Sequence, residues 1–185
     1  MAIGIRRVVT GHNKAGKAVV VTDGAAPNVK VRPGTGLVST LLWVTDTAPA
    51  KLADGEDFAA REIGITPPLN GTILRMLEIP GGANRTPEQL AAIHAARANE
   101  AAHAPANLQL DLTSRHPGMH RTESVDYALV MSGEIVMLLD DDSETHLKAG
   151  DVVIMQGTYH AWANRSDKPC TIAFILVGAE VPWKK

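Results

Sequence analysis

The sequence predicts an all-β protein, a barrel or sandwich of short strands with one inserted α-helix. Three observations predict it. Short apolar or alternating runs recur between turn signals along most of the 185 residues. From Asp126 onward the pattern is regular: "DYALVM", "EIVMLLD", "THLKA", "VVIMQ" and "CTIAFILVG" are set apart by Ser-Gly, "DDDSE", Gly-Asp and "RSDKP". One stretch, "RTPEQLAAIHAARANEAAHAP", breaks this rhythm with helix grammar.

The elements follow in order. "IRRVV" and "KAVVVTD" flank the polar loop "TGHNKAG" and read as a hairpin. "GLVSTLLWV" is the next apolar run. The mixed, Pro- and Gly-rich segment "TDTAPAKLADGEDFAAREIGITPPLNG" reads as a long surface excursion. "GTILRMLEI" is strand-like and stops at "PGG". In the helical stretch Thr86 caps, Pro87 takes the first helical position and Gln89 completes a capping box. Alanine, the best helix former, fills its interior, and the helix ends before Pro105, within about 86–104. Ser132-Gly133, between two apolar runs, reads as a short hairpin connection.

Composition bounds the function. With 45% hydrophobic and 21% charged residues, the chain reads as one domain with a real core. Its formal net charge is −2 and it has no long basic run, so no nucleic-acid partner is expected. No apolar run is long enough to span a bilayer, and "MAIGIRRVVTG" lacks the apolar core of a signal peptide. Cys170 is the single cysteine and cannot form an internal disulfide, which makes a reducing cytoplasm the expected compartment.

Two segments carry titratable residues at set spacings. "GDVVIMQGTYHAWAN" places Gly150, Gly157, His160 and Asn164, and "MHRTESVDYALVMSG" places His120, Thr122, Asp126 and Gly133. Together they resemble the motifs of the cupin superfamily, roughly G(x)5HxH(x)3–4E(x)6G and G(x)5PxG(x)2H(x)3N. In the second, Gln156 stands where the family usually has proline and the loop is one residue shorter. In the first, Thr122 takes the second histidine position and Asp126 the glutamate position. The resemblance implies a cupin-like double-stranded β-helix, or jelly-roll, barrel over about 71–178. Residues 1–70 would supply N-terminal strands and a loop, and the helical insertion would lie over one mouth. It also implies that His120, Asp126 and His160 hold a divalent transition metal: iron, zinc, nickel, manganese or copper.

Two histidines and a carboxylate make a facial triad with open positions. Asp126 is one methylene shorter than glutamate, and His116 or Glu123 is a substitute ligand if its loop folds inward. Each candidate has an ordinary alternative. His160 can be a core histidine bonded to Asn164 or a carbonyl, and Asp126 a strand-start carboxylate bonded to backbone. Tyr159, Trp162, Thr122 and Arg75 are candidates for substrate contact. Strand alternation puts Trp162 on the side of His160, and leaves open whether Arg75 or Glu78 faces inward. The expected function is a metal-dependent enzyme acting on a small organic molecule, with His120 and His160 at the chemistry. The alternatives are a metal-free acid–base enzyme and a non-catalytic binding protein. A homodimer is expected, because "KAVVV" offers a strand edge with little charge.

Overall fold

The computed structural model describes residues 4–183 except 33, 54, 84, 115 and 117, with backbone only at 97 and 99–102. β1 (Arg6–His12) and β2 (Ala18–Ala25) form the expected antiparallel hairpin, a two-stranded sheet of its own. Its loop closes on Asn13, whose Oδ1 accepts from the Ala15 and Lys17 N–H groups. Arg7 ties the hairpin to the rest of the chain: its guanidinium donates to Asp57 and to the Leu42 carbonyl.

The other strands are β3 (Val29–Val31), β4 (Val38–Thr45), β5 (Thr72–Ile79), β6 (Leu108–Leu110), β7 (His120–Thr122), β8 (Ser124–Ser132), β9 (Glu134–Leu139), β10 (Glu144–Lys148), β11 (Val152–Gln156), β12 (His160–Ala163) and β13 (Cys170–Gly178). They build two antiparallel sheets, one ordered β11-β8-β13-β5-β4-β3 and the other β10-β9-β12-β7-β6. Ile73, Ala128, Val130, Ile172 and Phe174 of the larger sheet pack with Ile135 and Met137 of the smaller in one apolar cluster. Each of these side chains larger than alanine contributes about 1.5–3 kcal/mol when fully buried. The fold is an all-β jelly roll.

One expectation is corrected. Ser132-Gly133 is not a hairpin turn, because β8 belongs to the larger sheet and β9 to the smaller. The chain crosses between sheets there, at a Gly133 φ of +75°. A Cβ on Gly133 would stand 2.7 Å from the Pro169 carbonyl oxygen, so the corner needs glycine for space as well as for conformation. The local pattern of a hairpin and of a sheet-to-sheet corner is the same, which is why the sequence misleads. Of the N-terminal strands, β3 and β4 extend the larger sheet: β4 pairs with β5, and β3 with β4.

α1 (Pro87–Ala102) sits between β5 and β6. Its capping box is reciprocal, with Gln89 N–H donating to Thr86 Oγ1 and Thr86 N–H to Gln89 Oε1. "PGG" ends β5 because the chain there lies against the turn after β12; a Cβ on Gly82 would meet the Asn164 carbonyl oxygen at 2.5 Å. Among the described residues, no helix is long and apolar enough to cross a membrane.

Candidate functional site

Period-two alternation on β5 points Ile73, Arg75, Leu77 and Ile79 to the inner face of the larger sheet. Ile73 is fully buried in the core, and the next three line a cavity of about 180 Å³ between the sheets. Phe174 and Leu176 of β13 lie beside them, and Trp162, His160, His120 and Thr122 line it from the smaller sheet. Leu90 and Ile93 of α1 and His116 of the following loop reach the same space, so the insertion forms part of the cavity wall. Of the expected contacts, Arg75 faces inward and Glu78 is not on the lining.

His120 and His160 are direct cross-strand partners on β7 and β12. Their rings stand 4.6 Å apart, centroid to centroid. His160 Nδ1 lies 3.0 Å from the Thr158 carbonyl oxygen and His120 Nδ1 lies 2.7 Å from that of Gly118. A carbonyl can only accept, so both Nδ1 atoms carry a proton, and each ring in its neutral form has its lone pair on Nε2. Burial pushes the His160 pKa down, the Thr158 contact opposing it, which keeps that ring neutral. His116 has the opposite arrangement: its Nδ1 accepts the Gly118 N–H, so its neutral ring is protonated on Nε2.

Asp126 on β8 is buried on the same wall. Its Oδ1 accepts the Ser124 hydroxyl at 2.6 Å and its Oδ2 the Thr122 hydroxyl at 3.3 Å. Thr122 and Ser124 also share a hydrogen bond of 2.7 Å, so the single Thr122 hydroxyl proton has two acceptors. Burial raises the Asp126 pKa to about 6, against the pull of both hydroxyls. The structure thus brings His120 and His160 together, and turns Asp126 toward two hydroxyls on the cavity wall. Among the described residues, no three His, Cys, Asp or Glu side chains are grouped to hold one ion.

Trp162 meets His160 edge-on at 5.8 Å and Phe174 at 5.6 Å, so the apolar wall runs without a break from the histidine pair to β13. Tyr159 is elsewhere. It is not on the lining; its hydroxyl donates to Gln109, and Arg121 stacks over its ring at 4.6 Å and over Trp183 at 4.4 Å. Alternation puts it opposite His160 on β12's approach, which its place next to His160 in sequence already signals. Glu123 does not line the cavity either. Asn164 is a tether: its amide donates to the Ile79 and Lys168 carbonyls and its oxygen accepts from Ser166, fixing the β12–β13 turn to the end of β5. Ser124 was not among the expected site residues, although its place two before Asp126 on one strand face is a legible signal. Arg32, also on the lining, follows no sequence pattern that marks it.

The cupin-domain family model matches residues 112–177, from the loop before His120 to β13. Phomopsin biosynthesis cluster protein C' of Diaporthe leptostromiformis is 32% identical over 169 residues, covering 86% of this chain and 70% of that protein. The cupin-domain-containing oxidoreductase virC of Hypocrea virens is 24% identical over 169 residues, covering 88% and 70%. Among solved structures, the cupin domain of Schizosaccharomyces pombe Cnp3 is 11% identical, covers 94% of this chain and 88% of its own, and has a TM-score of 0.45. With both motif segments inside the matched region and a relative above 30% identity along most of its length, the chain belongs to the cupin family.

Proposed function

We propose that the chain is an enzyme of the oxidoreductase type, acting on a small organic molecule in the His120–His160 cavity, with a divalent transition metal held by those two imidazoles. The observation that carries this reading is the pair of rings whose Nδ1–H groups both donate to backbone carbonyls. Metal-bound histidines are oriented by such contacts. The donor set fits: imidazole nitrogen suits iron, zinc, nickel and copper, and ligand positions beyond two would fall to solvent or substrate. A bound ion supplies Lewis-acid or redox chemistry. The chain's own residues position the molecule. Trp162, Phe174 and Leu77 hold its apolar body and exclude water, and Asp126 stores a proton beside Ser124 and Thr122. Relatives named as cupin-domain-containing oxidoreductases point the same way. Protein purified without chelator should carry near-stoichiometric metal by elemental analysis. Metal-free protein that still turns over substrate would overturn the metal reading.

One observation favours a second reading, a metal-free acid–base enzyme. A carboxyl group titrating near 6 beside two hydroxyls, in a cavity that a neutral imidazole also lines, is suited to proton transfer at neutral pH. We also propose a homodimer through the hairpin, whose Val8, Val20 and Val21 are about half exposed. Light scattering at micromolar concentration should give twice the chain mass; a monomer mass would refute the association.

A further inference from the structure

Among the described residues, Arg75 has no counter-ion. Its Nη2 donates to the Gly64 carbonyl, and among the described residues that oxygen is its one acceptor. Its Nε is buried without a partner. Among the described residues no carboxylate pairs with it; burial, and after it the charge of Arg32, brings its pKa down to about 10. It therefore remains a cation at neutral pH.

Its place makes this more than a packing oddity. Arg75 and Arg32 line both the main cavity and an adjoining one of about 150 Å³. The adjoining cavity is also lined by Lys30 and Arg61, and by no acid among the described residues. Lys30 pairs with Glu62 and Arg61 with Asp46, whereas Arg75 pairs with neither. Among the described residues, the one carboxylate that lines the main cavity is Asp126, whose oxygens face Ser124 and Thr122. A largely buried, unpaired cation is destabilising unless something compensates it. Its cross-strand neighbours on the inner face are Phe174 and Leu41, both apolar, so no neighbour on the sheet can do so.

We infer that the ligand of this cavity is an organic acid, its carboxylate received by Arg75 with Arg32 beside it and its apolar body laid along Phe174 and Trp162 toward His120 and His160. Guanidinium is the side chain whose planar donors match a carboxylate. The charge points in the same direction: among the described residues the lining carries Arg32, Arg75 and Arg85, and Asp126 is its one acid. The continuous ring wall joins the two ends, so a molecule anchored at Arg75 has its far end at the histidine pair. This rests on the reading of the cavity as the enzyme's site and adds the substrate class.

The test compares benzoate with benzamide, and hexanoate with hexanamide, by calorimetric titration of the full chain. At least one acid should bind ten-fold or more tightly than its amide, and Arg75→Gln should erase that preference. Arg75→Met, which keeps more of the stem's packing, replaces the glutamine variant if that variant does not fold. His160→Ala should retain the preference, so a failure of the metal reading leaves this result standing. Equal binding of acid and amide in both pairs would overturn the assignment, as would a preference that survives Arg75→Gln. Stabilisation by inorganic phosphate with none by either acid would also overturn it.

Discussion

Asp126→Asn is expected to stabilise the protein at pH 7.5 by about 3 kcal/mol and to remove a pH dependence that the wild type carries. The carboxyl titrates at about 6 when folded, against about 3.9 in an unfolded chain. A raised pKa means that the folded state holds the proton more tightly. The resulting stability is fully present below pH 4 and is lost as pH rises through 6, about 3 kcal/mol in all. Asparagine cannot ionise, and the Ser124 and Thr122 hydroxyls can rotate to accept from its amide. His160 acts in the opposite direction: its lowered pKa adds stability as pH rises toward 6.5. The difference between variant and wild type isolates Asp126, because His160 is common to both. Thermal midpoints should diverge between pH 4 and 7, by about 2–4 °C per kcal/mol in a chain of this size. Parallel profiles would show that the carboxyl titrates normally.

His160→Ala is expected to weaken divalent-metal binding by at least about 100-fold. Loss of an outer contact to a metal histidine already costs about 10- to 100-fold, and this change removes the ligand itself. His120→Ala should match it, since the two imidazoles are equivalent cross-strand partners. The space left beside Trp162 gives a control: added imidazole should restore part of the lost affinity to His160→Ala. Unchanged affinity in both variants would place any bound metal away from the pair.

How much of this was legible in the sequence depended on whether the signal was local. The α1 capping box needs only Thr86 and Gln89, three residues apart, and it forms as read. His160 and Asn164 lie within one turn of the motif. His160 does bond to a carbonyl, as its ordinary reading allowed, and lines the cavity as well. The Ser132-Gly133 corner misled because two residues cannot say which sheet the next strand joins; Pro169 and Cys170, far along the chain, impose that geometry. Asp126 could be located, and Ser124, two residues before it on the same strand, was legible too; Thr122 as its partner was not, because it lies on β7 and its hydroxyl meets the carboxylate only after the chain turns between strands. Arg75 was a candidate without a direction. Its apolar setting, Phe174 on one side and Leu41 on the other, is a property of the surrounding β13 and β4 and appears only once those strands are placed.

The hydrogen bonds from both ring Nδ1 atoms also give the site a magnetic signature that needs no ligand. In water, neutral histidine favours the tautomer protonated on Nε2. His120 and His160 are held in the other form, each by a carbonyl two residues upstream. Their ε2 nitrogens should resonate as pyridine-type and their δ1 nitrogens as pyrrole-type, while His116, accepting at Nδ1, should show the reverse. One ring-nitrogen spectrum of the resting protein would then sort the three cavity histidines by what each can do: two offer a lone pair and one offers a proton.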